Sequence, residues 1–167
     1  MRVEHEISRR GTLAYLAAWD VHWAALFGCI EPRSTIAAFD RLVEQIMSQE
    51  PYRSADRIFL VVDNGTVHRG PRSVDRLHDR WPQLVLVHLP LHASWLNQIE
   101  IYFSILKRKV LTPNDSASAD VAADRILALQ HHYQAIAQPF EWKFTREELA
   151  RLMTSLSEVQ VTLPYAA

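Results

Sequence analysis

Two carboxylates are placed where metal chemistry could be done. Asp63 ends the apolar, β-branched run IFLVV and is followed by the turn signal Asn64-Gly65. Such a run reads as a buried strand, so Asp63 sits at the strand's carboxyl end. Glu100 lies in WLNQIEIYFSILKRK, which reads as a helix from Trp95 to Lys109 with Ser94 as N-cap. Oxygen donors on rigid elements suit Mg²⁺ or Mn²⁺, hard ions that keep several waters and bridge readily to phosphate. Asn97 falls one turn before Glu100 and is expected on the same helix face, where its amide could bind a phosphate or hold the carboxylate. His68 follows Asp63 closely enough to orient a phosphate or a metal-bound water, or to act only as a loop histidine. Lys107, Arg108 and Lys109 close the Glu100 helix; they could meet a DNA backbone, and cations there also suit the helix dipole.

Other polar groups have blander readings. Arg69, Arg72, Arg76 and Arg80 form a helical stripe that could contact phosphates, yet Asp75 and Asp79 beside it fit an ordinary solvated face. His88 and His92 flank Pro90, but no cysteine or helical histidine pair joins them to make a zinc site. Trp95 could stack on a base or pack in the core. Asp63 itself could simply cap its turn. An acid–base carboxylate pair acting on a sugar is a third chemistry, with only scattered tryptophans as a platform.

The elements that must hold these groups follow from periodicity. Thr12–Trp19 and Trp23–Ile30 read as a hairpin closed by Asp20-Val21-His22. Ser34 is expected to cap a helix reaching about Gln49, with Ile36, Phe39, Leu42, Val43, Ile46 and Met47 on its apolar face. A strand over 57–62 follows, then a helix from Pro71 to Trp81 burying Val74, Leu77 and Trp81. Leu84–His88 is a short buried strand. Residues 118–136 read as a helix burying Val121, Ile126, Leu129 and Tyr133, and Thr145 with Glu148 makes a capping box for a last helix over 146–156. Alternating strands and helices indicate a layered α/β domain.

The bulk properties fit one domain over 1–167, large enough to bury a real core. The chain is 49% hydrophobic and 22% charged with a formal charge of −1, so any DNA contact must come from local basic patches. One cysteine, Cys29, cannot form an internal disulfide, and a reducing cytoplasm is the default. The start MRVEHEISRR is unlike a signal peptide, and no apolar run nears the roughly 20 residues of a membrane span.

VDNGTVH followed by LPLHASWLNQIEIYFSILKRKVLTPND resembles the second and third acidic motifs of DDE transposases from bacterial insertion sequences of the mariner superfamily. The resemblance runs from about Val3 to Leu156. It implies a ribonuclease-H-like fold and divalent-metal-dependent DNA cleavage and strand transfer, with Asp63 and Glu100 as metal ligands. It also implies that the first catalytic Asp and its central strand lie upstream of EHEISRRGTLAYLAAWDVH, so the chain is expected to begin after them and to be inactive alone. Asp20 maps onto the hairpin turn rather than onto the missing Asp. The helix-turn-helix module of the family has no counterpart in this sequence. Transposon and target DNA are the implied partners, with a homodimer or a full-length transposase subunit as possible company. A non-catalytic remnant that binds DNA or such a subunit is the competing expectation.

Overall fold

The structure is a computed structural model, and it describes residues 12–68, 70–90, 97–112 and 116–139, with 145, 147, 148, 150, 151 and 154. Strands β1 (Ala14–Trp19) and β2 (Leu26–Glu31) pair antiparallel, Leu16 opposite Cys29. The hairpin is present, but its turn is wider than the sequence suggests. Asp20 Oδ1 accepts the N–H groups of His22 (2.7 Å) and Trp23 (2.9 Å), and Asp20 N–H donates to the Ala25 carbonyl (2.8 Å). The carboxylate thus closes a local turn, and Ala24 takes a positive φ of 54°, which breaks the extended run. Trp23, expected in the strand, is instead 73% exposed.

Helix α1 (Ile36–Met47) is capped by Thr35, not Ser34: Thr35 Oγ1 accepts the Ala38 N–H at 3.2 Å. Its buried face is the expected one except at Ile36, which lies in the first turn and is exposed. Strand β3 (Ile58–Val62), helix α2 (Pro71–Arg80) and strand β4 (Leu84–His88) form a βαβ unit, with β3 and β4 parallel and Val62 opposite His88. Phe39, Val43, Met47, Val62, Leu77 and Leu84 make the core between α1, α2 and this sheet. In α2 the inward positions are Ser73 and Leu77, four apart, and Val74 sits at the rim, exposed rather than buried. The arginine stripe is largely spent on α1. Arg76 grips Asp40 with both Nε and Nη2 (3.0–3.2 Å), and Arg80 pairs with Glu44 while lying 4.4 Å over the Trp81 ring. Arg69 lies outside the described residues.

The opposite face of the β1–β2 sheet is covered by α3 (Ile99–Leu106), a π-helical turn (Lys107–Leu111) and α4 (Ala119–Ile136). Leu26, Ile99 and Tyr102 form its centre, with Tyr15, Trp19, Phe103 and Tyr133 packed around them. Ser118 caps α4 by accepting the Val121 N–H at 3.2 Å. Ile126 is buried as expected, whereas Val121 is exposed beside that cap. Farther on, Thr145 and Glu148 form the expected reciprocal capping box, at 2.7 and 3.2 Å. No helix among the described residues is long and apolar enough to cross a membrane.

The described strands form two two-stranded sheets, β1–β2 and β3–β4, with no strand pairing β1 to β3. The face of the β3–β4 sheet turned away from the α1–α2 core is bare: Phe59 (62% exposed), Val61, Val85 and Val87 all reach solvent.

The tyrosine cluster under α3 and α4 is expected to make the fold sensitive to alkali. Tyr15 Oη donates to Gln130 Oε1 at 2.9 Å and lies 3.2 Å from Tyr102 Oη. Burial pushes the Tyr15 hydroxyl far above its ordinary range, with the Tyr102 hydrogen bond adding to it, and burial also raises Tyr102 and Tyr133. The unfolded chain therefore loses these protons first as pH rises. The stability the neutral hydroxyls carry is whole below about pH 10 and disappears above it. Urea midpoints measured between pH 8 and 11 are expected to hold steady and then fall; Tyr15→Phe should flatten that fall.

Candidate active site

Asp63 is the first residue past β3. The carbonyl before it, of Val62, accepts the Leu89 N–H at 2.9 Å, so Asp63 stands at the carboxyl end of the parallel pair, as its sequence setting indicates. Asn64 Nδ2 donates to the Leu89 carbonyl (2.7 Å) and pins the turn to the segment leaving β4. Gly65 N–H donates to Asp63 Oδ1 at 2.8 Å, and His68 Nε2 lies 2.5 Å from the same oxygen. A β-carbon on Gly65 would fall 2.9 Å from both Asp63 Oδ1 and His68 Cε1, so glycine is what lets carboxylate and imidazole close over the turn.

His68 is itself held. Its ring packs on Phe39 with centroids 5.1 Å apart, and its carbonyl accepts the His88 Nε2–H at 2.9 Å. Its Nδ1 is buried with no hydrogen-bond partner among the described residues. His88 is thus a fastener for the turn; His92 lies outside the described residues. The Asp63 side chain remains 52% exposed, and no described residue donates to its Oδ2. One Asp63 oxygen closes the turn, as the turn-cap reading expects, and the other is left without a donor among the described residues.

Asn97, Asp63, His68 and Asp20 line one cavity of about 700 Å³. Asn97 is not helical, contrary to its sequence reading: α3 begins only at Ile99, and the Gln98 side chain makes no capping bond. The Asn97 and Gln98 carbonyls instead accept the N–H groups of Glu100 and Ile101, both at 3.0 Å. These i to i+3 bonds wind the entry tighter than an α-helix. Ser94 and Trp95, the expected cap and helix start, lie outside the described residues. Glu100 is exposed in the first turn of α3, where the helix dipole favours a carboxylate. It adjoins the cavity residues Asn97, Gln98 and Ile99 in sequence but is not among the residues lining the cavity.

Lys107, Arg108 and Lys109 are exposed in the π-helical turn rather than on the end of a continuous α-helix. Val110 anchors the turn in the core, and Thr112 closes it through two bonds to the Lys107 carbonyl, at 2.7 and 2.8 Å. Nothing in Lys-Arg-Lys-Val signals this wider winding, which shifts the three cations relative to the Glu100 face.

Asp20 lies in the hairpin turn as expected, with both oxygens engaged. Besides its two backbone bonds, it accepts the Tyr52 hydroxyl at 2.6 Å. Tyr52 drew no notice in the sequence, because the contact joins residues far apart in the chain. Burial, reinforced by the Asp20 hydrogen bond, pushes the Tyr52 hydroxyl well above its ordinary range. Tyr52→Phe is expected to cost about 1–2 kcal/mol in urea unfolding, since the lost bond goes to a charged acceptor. An unchanged midpoint would mean that the turn holds Asp20 unaided.

Among the described residues, no three His, Cys, Asp or Glu side chains converge as a metal-ligand group. Asp63 and Glu100 each expose carboxylate oxygens of the kind Mg²⁺ and Mn²⁺ take. Compared with known families, residues 1–121 match the family described as DDE superfamily endonuclease. No curated protein matches the chain.

Proposed function

The chain belongs to the DDE superfamily endonucleases, and from that premise we propose that it is a catalytic domain of an insertion-sequence transposase of the mariner superfamily, inactive by itself. The domain spans 1–167, has a ribonuclease-H-like ancestry, works in the cytoplasm and acts on transposon ends and target DNA. The observation that carries the reading is the Asp63 turn: a strand-end carboxylate with one oxygen locked by Gly65 and His68 and the other without a donor among the described residues. Family membership also counts against a sugar-cleaving carboxylate pair.

Asp63 and Glu100 are the residues that would hold Mg²⁺ or Mn²⁺. Bound there, the ion would polarise a phosphodiester and favour attack by water or a 3′-hydroxyl. The chain's own groups do the positioning. His68 fixes the rotamer of Asp63, so that its second oxygen keeps one direction. Asn97, on the same cavity wall, offers an amide to a phosphate oxygen. Lys107, Arg108 and Lys109 supply backbone charge contacts that carry affinity without sequence preference. The second reading is a non-catalytic remnant that binds DNA or a full-length transposase subunit, and the division of the strands into two sheets favours it.

Mn²⁺ titration followed by electron paramagnetic resonance tests the site. One weakly bound ion is expected, with affinity reduced at least tenfold in Asp63→Ala and in Glu100→Ala while both variants keep the wild-type urea midpoint to within about 1 kcal/mol. Equal Mn²⁺ binding in all three proteins would remove the proposed ligands.

A further inference from the structure

The arginines of α2 do not share one fate. Arg76 pairs with Asp40 and Arg80 with Glu44, each partner standing 36 positions earlier on α1. The second pair lies one helical turn beyond the first on both helices, so α1 and α2 run side by side in the same direction. That register sets Arg72, one turn before Arg76, beside Ile36, which has no charge to offer. Asp75, on the next turn of α2, makes no ion pair with Arg72. Arg41, the arginine of α1, is held by Glu31. Arg72 is therefore the one arginine of the two helices without an ion pair among the described residues, and it is exposed. Arg33, just ahead of α1, is exposed and unpaired among them as well.

Both residues stand at the Asp63 end of the fold. Helix α2 opens on Pro71, behind the turn that Asp63 begins, and Ser73 Oγ in its first turn donates to the Val67 carbonyl at 3.5 Å. Because α1 runs parallel to α2, its own start lies at the same end, and Phe39 near that start packs on the His68 ring. Neither helix has an acid in its first turn. The first acids, Asp40 and Asp75, come later, and Asp40 is already taken by Arg76. Two cations thus lie toward Asp63 with charge that the fold does not use.

We infer that Arg72 and Arg33 bind backbone phosphates of the DNA strand whose scissile phosphate is presented to Asp63. The inference rests on the endonuclease reading and names further binding residues for that substrate. A nucleic-acid strand brings a negative charge with every nucleotide. An ion held by Asp63 can serve one phosphate, while the neighbouring phosphates meet a carboxylate that repels them. Cations at the same end of the sheet hold those neighbours instead. Arginine suits the task, because its planar fork meets two phosphate oxygens at once. The contacts go to the backbone, so they position the strand without reading its bases. The helix register thus divides the arginine stripe: Arg76 and Arg80 brace α2 against α1, and Arg72 is left for the substrate.

Salt dependence of DNA binding by the full chain tests this. The probe is a fluorescein-labelled duplex of arbitrary sequence, followed by polarisation across a KCl series in metal-free buffer. The slope of log K against log salt should shrink by about one in Arg72→Gln and by about two when Arg33→Gln is added. Arg72→Lys, which keeps the charge, should keep the slope. All three variants should unfold at the wild-type urea midpoint. Arg76→Gln should do the reverse, lowering the midpoint and leaving the slope alone. Mn²⁺ affinity by electron paramagnetic resonance, which reports Asp63 and Glu100, should not fall in any Arg72 variant. An unchanged slope in Arg72→Gln, beside a wild type that binds the duplex, would overturn the inference and leave the endonuclease reading standing. An equal loss of slope in Arg76→Gln would overturn it too, by showing that total charge and not contact sets the slope. A wild-type chain that binds no duplex at low salt would overturn the inference and the DNA reading together.

Discussion

Incubated alone with supercoiled DNA and Mg²⁺ or Mn²⁺, the chain is expected to nick it no faster than its own Asp63→Ala variant. The two proposed ligands carry less charge than two dications held at fixed spacing require, and among the described residues no three His, Cys, Asp or Glu side chains form a ligand group. The support behind the two proposed ligands is also divided. Asp63 hangs from β3–β4, whereas Glu100 rides on α3, which packs on the β1–β2 sheet. Ligands borne by separately braced elements drift, and a misplacement of about 1 Å costs on the order of a hundredfold in rate. The assay is conversion of supercoiled plasmid to open circles. Nicking by the wild type that disappears in Asp63→Ala would sink the expectation and show that another acid completes the site. Asp20 is a poor candidate for that acid, since recruiting it would break its two turn bonds and its bond to Tyr52.

The second large effect is on stability. Tyr102→Ala is expected to cost about 3–5 kcal/mol, the range for truncating a buried aromatic. Tyr102 is fully buried (0% exposed) where α3 meets β1 and α4. Its ring lies 5.1 Å from Tyr133, 6.1 Å from Phe103 and 6.3 Å from Tyr15, so alanine would empty the junction of three elements. A domain is stable by only about 5–15 kcal/mol, and the loss should leave a visible unfolded fraction at 37 °C by circular dichroism. Tyr102→Phe keeps the volume and loses only the contact with the Tyr15 hydroxyl, at a cost of about 1 kcal/mol. A Tyr102→Ala midpoint within 1 kcal/mol of wild type would mean that α3 does not hold this part of the core.

The elements around Asp63 were the most legible. IFLVV and LVLVH are short apolar runs bounded by turn residues, and each became a strand within a residue of its expected limits. Pro71 fixed the start of α2 because its ring is preset for the first helical turn. Errors came where the backbone answered to hydrogen bonds rather than to pattern. Trp23-Ala24-Ala25 is apolar enough for a strand, yet Asp20 captures the neighbouring N–H groups and delays pairing to Leu26. Asn97 and Gln98 have helical composition but no capping side chain, and the chain enters α3 through tighter turns. The pairing of Arg76 and Arg80 was not legible in the sequence, since their partners Asp40 and Glu44 lie 36 positions earlier, on another helix. The bond between Asp63 and His68 likewise depends on Gly65 folding the turn back, which spacing alone does not reveal.

The bare side of the β3–β4 sheet bears on how the molecule survives in a crowded solution. Phe59, Val61, Val85 and Val87 form a hydrocarbon surface on two short parallel strands, and IFLVV carries no charge and no proline to interrupt it. Such a segment beside an open edge is a template on which further chains can stack in register, the first step toward ordered aggregates. Chains made in excess of whatever covers that surface are destined for insoluble deposits or for capture by chaperones. Solubility, and not catalysis, would then set how much of this protein a cell can keep.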